Sequence, residues 1–242
     1  MGVVALGELL IDFTENGISS QGNPLFEANP GADMMLTEEE IPEELILETW
    51  IFHFGTLSMT HENVRRATKK AVAIAKQAGA IISFDPNIRE PLWNSMDEAR
   101  EQVLYGLGQC HILKISDNEI QWLTGKNDYT EAVKWIREKY DIPLILVSMG
   151  KEGSRVYYQD RMVEKAPFIN ENTIETTGAG DTFCACVLHY ICKHGLENLT
   201  EKNLKEMLTY ANAAASIITT RKGALRVMPR PEEIEALIAG YH

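Results

Sequence analysis

Short apolar stretches alternate with longer amphipathic stretches along most of the chain. The apolar stretches read as buried strands and cover residues 3–7, 50–57, 80–85, 111–115 and 144–148. Helical periodicity lies between and after them, at residues 62–78, 97–107, 118–123 and 130–139. Because parallel neighbours need long crossovers, usually helical, this alternation predicts an α/β fold with a mostly parallel sheet covered by helices. Ligands are then expected outside the carboxyl ends of the strands.

The last third of the chain departs from strict alternation. It predicts a hairpin-like pair at residues 155–159 and 162–166, a helix after a glycine-rich turn, a long helix near 204–220 and a short last helix from Pro231. With 242 residues, of which 45% are hydrophobic, one large domain over residues 1–242 can bury a full core.

The connection after the first strand is different from the others. Residues 12–31 read as two short extended segments around Gly and Asn turns, and no helix returns the chain to the sheet. An acidic run follows at residues 37–48, where Thr37 and Glu40 have the spacing of a capping box. This run predicts a solvated surface helix, whereas the first strand is left without its usual crossover.

The charge balance limits the possible partners. The formal net charge is −12, which argues against nucleic acid or an anionic membrane surface, so an anionic ligand needs a local positive feature. Residues 1–13 contain two acidic residues and no Lys or Arg, so a signal peptide is not expected. No apolar run reaches 18 residues, so a membrane span is not expected either. We expect a cytoplasmic protein whose cysteines are reduced thiols in packing positions: Cys110, Cys184, Cys186 and Cys192.

The segment "NTIETTGAGDTF" at residues 172–183 places three small residues directly before an acid. An apolar face with helical spacing follows, and Gly195 is placed to end that helix, so Gly178 to Asp181 are predicted at a helix N-terminus. Backbone N–H groups there lack intrahelical partners, and the helix dipole adds partial positive charge. Without bulky side chains, Gly178, Ala179 and Gly180 would let a phosphate approach the backbone closely.

Asp181 is unexpected beside an anion site, because a carboxylate repels the anion. A base that accepts a proton from a hydroxyl attacking the phosphate would belong at this position. The alternative is an ordinary Gly-rich turn in which Asp181 is the helix N-cap. The spacing by itself leaves both interpretations open.

Five segments together resemble one known family. They are "DPNIREPLW" (85–93), "LKISDNE" (113–119), "VSMGKEG" (147–153), "ETTGAGDTF" (175–183) and "ANAAASIITTRKGA" (211–224). In this order they are similar to the ribokinase/pfkB family of carbohydrate kinases, and most similar to its fructokinases. The resemblance implies a ribokinase-like three-layer α/β sandwich with a small β lid, of which residues 13–30 would be a truncated remnant.

The resemblance also implies a reaction. It makes Asp181 the base that deprotonates a sugar hydroxyl and Gly178, Ala179 and Gly180 the anion hole for the phosphoryl group of ATP. D-fructose is the expected acceptor and fructose 6-phosphate the expected product. Ribose, 2-keto-3-deoxygluconate and a nucleoside remain alternative acceptors.

The resemblance assigns roles to further residues. Those expected to bind the nucleotide and its phosphates are Lys114, Ser116, Glu119, Ser148, Gly150, Gly153 and Asn212. Glu119 is also expected to hold Mg²⁺ through water, and Ser116 stands where the family usually has Asn. On the sugar side the matching residues are Asp12, Asn87 and Arg89, although Arg89 reads equally well as a surface charge. Glu175 and Thr177, with the turn at residues 220–223, resemble a K⁺ site, although the family usually has Asp in place of Glu175.

One family segment is missing near Gly31, where two similar "NPG" segments are expected and only one is present. The missing part would carry sugar contacts, strands and half of the lid, whether its absence is natural or an artefact. Its loss would expose apolar faces that favour self-association, so a homodimer is one expectation. It also leaves open a catalytically impaired relative that binds nucleotide without turnover.

Overall fold

The computed structural model describes residues 2–6, 12–18, 24–29, 35–223 and 227–241, and in 12–18 and 24–29 it describes the backbone alone. Within these residues, seven strands form one sheet and lie side by side in chain order, and two further strands, which lie between the first and second of them in the chain, form a separate sheet. The chain divides into two compact units, Met1–Gln109 and Cys110–His242. The single domain predicted over residues 1–242 stays a prediction.

The first unit contains three parallel strands of the large sheet: β1 (Val3–Leu6), β4 (Ile51–Gly55) and β5 (Ile81–Asp85). Its helices are α1 (Glu43–Leu47), α2 (Glu62–Gln77) and α3 (Met96–Leu107), and α2 packs against β4 and β5. The remaining strands, β2 (Asp12–Ile18) and β3 (Pro24–Asn29), pair antiparallel. They confirm the two extended segments predicted there, whereas their role as a lid remnant stays a prediction.

The second unit contains the parallel pair β6 (Ile112–Ser116) and β7 (Leu144–Ser148), followed by the antiparallel strands β8 (Ser154–Tyr158) and β9 (Arg161–Lys165). Its helices are α4 (Asp117–Thr124), α5 (Tyr129–Arg137), α6 (Ala179–His194), α7 (Glu201–Ile218) and α8 (Pro231–Gly240). Helix α4 packs on β6 and β7, and α7 packs on β8 and β9. The predicted α/β class with a mostly parallel sheet and flanking helices is confirmed.

The acidic run does not form the single surface helix that was predicted. A 3₁₀ turn covers Glu38–Glu40, and the five-residue helix α1 begins only after Pro42. Pro42 has no N–H to donate, so a helix begun at Thr37 cannot continue through it. The predicted capping box is present, since Glu40 Oε2 accepts from Thr37 N at 2.9 Å. The run is also less solvated than predicted, because Ile41 and Ile46 are buried.

Strand alternation explains how the first unit builds its core. Phe52, Phe54 and Phe84 are fully buried, and the Phe54 and Phe84 ring centroids are 4.8 Å apart. Helix α3 approaches Phe84 closely because Gly106 has no side chain: a Cβ atom there would lie 2.3 Å from Phe84 Cζ. This close contact packs α3 against β5.

The cysteines pack as free thiols, as predicted. Cys110 and Cys184 are buried, and Cys186 and Cys192 are half-buried. Burial raises the pKa of the Cys110 thiol and raises the pKa of Cys186 to about 11, so both thiols remain protonated near neutral pH. Separately, no helix in the described part of the chain is both long and apolar enough to cross a membrane.

Candidate active site

The glycine-rich turn begins helix α6, as the sequence predicts. Gly178 is the N-cap residue with a left-handed φ of 77°, and Ala179, Gly180 and Asp181 are the first three helical residues. The Ala179 N–H donates to Thr176 O at 3.2 Å. The Gly180 and Asp181 N–H groups have no intrahelical acceptors, because they belong to the first turn of the helix. The side chain of Asp181 is exposed. The interpretation of Asp181 as the N-cap is therefore wrong, because Gly178 takes that position.

A buried cation lies against this turn. Lys114 on strand β6 is only 6% exposed, and its Nζ lies 3.1 Å from the position that a Cβ atom on Gly180 would occupy. Any side chain at residue 180 would crowd this ammonium group. The turn thus combines helix N–H groups, a lysine charge and an adjacent carboxylate, which supplies the local positive feature that an acidic protein needs to bind a phosphate.

Strand β6 ends at Ser116, where helix α4 begins. Ser116 N and Ser116 Oγ both donate to Glu119 Oε2, at 2.9 and 2.8 Å, and Glu119 N donates to Ser116 Oγ at 3.4 Å. This reciprocal arrangement is a capping box. Glu119 therefore holds the start of α4, and its carboxylate is fixed at the carboxyl end of β6, where ligands of parallel sheets bind.

The next strand ends beside it, since Ser116 and Ser148 are register partners. After Ser148 the chain makes a tight turn in which Met149 N donates to Gly153 O at 2.9 Å. Gly150 and Gly153 have φ values of 53° and 96°, a region that favours glycine. The predicted nucleotide turn is thus a real turn at the same sheet edge as Glu119.

Asn212 on helix α7 is buried and uses its amide within the protein. Its Oδ1 accepts from Ser154 Oγ at 2.8 Å, and its Nδ2 donates to Ala166 O at 3.1 Å and to Lys165 O at 3.3 Å. These bonds join α7 to the start of β8 and the end of β9. Asn212 therefore shapes the wall beside the Gly150–Gly153 turn.

The predicted cation ligands lie just before the glycine turn. Glu175 Oε1 accepts from Gly223 N at 2.8 Å, and Thr177 is exposed. Glu175 N also donates to Thr219 O at 3.2 Å. The structure thus brings Glu175 to the turn at residues 220–223, as the resemblance implied.

The predicted sugar contacts belong to the first unit. Asp12 is the first residue of β2, and its side chain lies outside the described residues, as does the junction at Gly31. Asn87 has a left-handed φ of 44°, and Arg89 is exposed with Nη1 donating to the neighbouring Ile88 O at 3.1 Å. Asn87 therefore lies in a constrained turn, whereas the position of Arg89 fits the surface-charge interpretation.

Two residues near that turn were not among the site residues predicted from the sequence. Thr56 is fully buried, and its N and Oγ1 both donate to Pro86 O, which fixes the backbone directly before Asn87. Asp85 ends β5 and is 4% exposed, an unusual environment for a carboxylate. The sequence signal for Asp85 is an acid at the end of an apolar strand, and for Thr56 there is none.

A family comparison agrees with this geometry. The pfkB family carbohydrate kinase model matches residues 17–231. The chain belongs to the pfkB family of carbohydrate kinases. Among pfkB relatives, fructokinase-1 of Zea mays is 39% identical over 214 residues and fructokinase-1 of Oryza sativa subsp. japonica is 37% identical over 214 residues. Each match covers 88% of this chain and 66% of the relative, so the chain spans slightly less than two thirds of their length.

The fold is also that of solved pfkB-type kinases. A double mutant of fructokinase from Vibrio cholerae O395, solved with fructose, ADP and a potassium ion, superposes with a TM-score of 0.77. It is 26% identical, and the match covers 94% of this chain and 71% of that chain. The predicted ribokinase-like fold and the pfkB resemblance are confirmed.

Replacing Lys114 by Met tests the buried cation at the pfkB glycine turn. Met fills the same apolar surroundings without the charge, so the fold should survive, as thermal melting followed by circular dichroism can check. We expect the affinity for a non-hydrolysable ATP analogue, measured by isothermal titration calorimetry, to fall about 10- to 100-fold, the loss typical of one charge-assisted hydrogen bond. Lys126→Met, at an exposed lysine, controls for net charge. Equal affinity of the two variants would contradict a phosphate-binding Lys114.

Proposed function

We propose that this chain is an ATP-dependent sugar kinase that transfers the γ-phosphoryl group to D-fructose and forms fructose 6-phosphate. The observation that carries the proposal is the N-terminal turn of α6, where Lys114 Nζ lies beside Gly180 and the next residue is the exposed Asp181. The fructokinase relatives support this choice of reaction and acceptor.

Each group at the turn has one task in the proposed step. Asp181 accepts the proton of the sugar hydroxyl while the hydroxyl oxygen forms a bond to the γ-phosphorus and the bond to the ADP oxygen breaks. The N–H groups of Gly180 and Asp181, with Lys114, stabilise the negative charge on the phosphoryl oxygens. The positive groups thus balance the repulsion that Asp181 would exert on the phosphate.

ATP and Mg²⁺ are the proposed cofactors. Ser148, Gly150 and Gly153 form the turn proposed to hold the nucleotide, and Asn212 borders it by fixing its wall. Ser116 and Glu119 fit a hydrated magnesium ion, because their capping box fixes a carboxylate at the ends of the parallel strands. Bound there, Mg²⁺ would neutralise phosphate charge during the transfer.

Asp12, Asn87 and Arg89 are the proposed sugar contacts. Carboxylate, amide and guanidinium groups suit sugar hydroxyls and a product phosphate. Ribose, 2-keto-3-deoxygluconate and a nucleoside are the alternative acceptors.

A second candidate function follows from the family segment that the sequence predicts to be missing near Gly31. The chain spans 66% of the length of its maize relative, and a relative that binds nucleotide without turnover follows if the sugar side is incomplete. Steady-state transfer from ATP to each candidate acceptor, measured by coupled ADP release, separates the two. Product formed from fructose supports the kinase, whereas ADP binding without any product supports the impaired relative.

Potassium is proposed at Glu175, Thr177 and the turn at residues 220–223. Because Glu175 Oε1 already accepts from Gly223 N, the ion would use the other carboxylate oxygen. Activity measured while KCl replaces tetramethylammonium chloride at constant ionic strength should rise if the ion binds there.

A second copy of the chain is the proposed protein partner. Strand β1 lies at one end of the large sheet, and Val3, Leu45, Leu47 and Trp50 in the same unit are exposed apolar residues. Light scattering after size-exclusion chromatography measures the resulting mass. The cytoplasm is the proposed location, since four free thiols suit a reducing compartment.

A further inference from the structure

The segment leading into the glycine turn is tied to the end of helix α7 by four hydrogen bonds. Ile174 N and Glu175 N both donate to Thr219 O, at 2.8 and 3.2 Å. The Thr173 and Thr219 hydroxyl oxygens are 3.2 Å apart, and Gly223 N donates to Glu175 Oε1 at 2.8 Å. The last of these is the charged contact, and hydrogen bonds to ionised groups are the strong ones.

The other side of this tie is itself firmly held. Thr219 is the C-cap of α7, and Arg221 N donates to Ile218 O at 3.0 Å. Arg221 also forms an ion pair with Glu233 on α8 and donates to Val227 O at 3.0 Å. The turn at residues 219–223 is therefore anchored to two helices. Hydrogen bonds from residues 173–175 to this turn can therefore restrain the glycine turn that follows them.

Only two residues separate Glu175 from Gly178, the N-cap of α6. In that interval Ala179 N donates to Thr176 O at 3.2 Å, which closes the turn. The glycines offer little restraint of their own, because glycine populates many backbone conformations. Catalytic N–H groups, by contrast, must keep their positions during the reaction.

From this arrangement we propose that Glu175 is a positioning residue: its carboxylate fastens the glycine turn to the end of α7 and so keeps the Gly180 and Asp181 N–H groups aimed at the phosphoryl group. The inference rests on the proposed function of that turn. It deepens that function by naming what holds the anion site in place. Glu175 acts here through a hydrogen bond to the protein backbone, whatever ion binds nearby.

Amide hydrogen exchange of the substrate-free protein, followed by mass spectrometry in saturating KCl, tests the tie. We expect Glu175→Ala to accelerate exchange of the Ala179 and Thr182 amides, which donate to Thr176 O and Gly178 O, by about tenfold or more, the factor for one lost charge-assisted hydrogen bond. Glu175→Gln keeps an acceptor oxygen and should restore most of the protection. Glu171→Ala is the matched control, because Glu171 is an exposed acid close to Glu175 in the chain, and its exchange should equal that of the unmodified chain.

Kinetics add a readout that general loss of structure would not give. In Glu175→Ala we expect kcat to fall about tenfold while KM for fructose stays within about twofold, since the tie acts on the phosphoryl group. Unchanged exchange of the Ala179 and Thr182 amides in Glu175→Ala overturns the proposal. Equal damage in the Gln and Ala variants also overturns it, because charge and not the hydrogen bond would then matter. The exchange experiment needs no turnover, so it remains decisive even if no acceptor sugar is phosphorylated.

Discussion

Asp181→Asn should reduce kcat for phosphoryl transfer to fructose by about 10²- to 10⁴-fold, the range typical of removing a general base. The amide has the same shape as the carboxylate but cannot accept the hydroxyl proton. Asp181 is exposed and its side chain does not cap α6, so the fold loses little beyond a favourable charge at a helix N-terminus, about 0.3–1 kcal/mol. A coupled ADP-release assay measures the loss of kcat, and urea unfolding measures the change in stability.

Nucleotide binding distinguishes a lost base from a damaged site. ADP affinity of Asp181→Asn should be unchanged or slightly higher, because the substitution removes a negative charge next to the phosphate site. Asp141→Asn, at an exposed acid in the same unit, is the matched control and should keep full activity. Residual activity of Asp181→Asn within threefold of the unmodified chain would show that another group accepts the proton.

The sequence predicts most of the fold because its apolar periods are local and regular. Strand β7 was predicted with the observed bounds. The other predicted strands of the large sheet and the predicted helices agree with the observed elements to within a few residues at each end. The single helix predicted for the acidic run is wrong for a local reason, because Pro42 interrupts a helix that begins at Thr37. Apolar Ile41 and Ile46 in the same run also indicated that part of it is buried.

The local motifs of the site could be predicted from the sequence, whereas its long-range contacts could not. The glycine turn follows from helix physics, and the resemblance identified Lys114, but only the three-dimensional structure places Lys114 Nζ beside Gly180. Ser116 and Glu119 also have capping-box spacing in the sequence, and in the structure they form that box. Long-range contacts such as Thr56 with Pro86 have no local signal, which is why they could not be predicted.

Gly150 and Gly153 lie in the same turn after β7, but they should differ greatly when replaced by alanine. A Cβ atom on Gly150 would meet nothing within 4 Å, whereas one on Gly153 would lie 2.2 Å from Lys165 O. That carbonyl accepts from Asn212 Nδ2, and Lys165 is the register partner of Ser154. The backbone of β9 can therefore move away from a new methyl group only by disturbing both contacts.

Gly153→Ala should accordingly destabilise the protein by about 3–5 kcal/mol, because backbone strain at φ 96° adds to a clash with main-chain atoms. Gly150→Ala, with φ of 53° and open space, should cost only about 1–2 kcal/mol. Thermal and urea unfolding measure both changes, and a shift in melting temperature of about 2–4 °C per kcal/mol is expected for a chain of this size. Similar stabilities for the two variants would mean that β9 yields without cost.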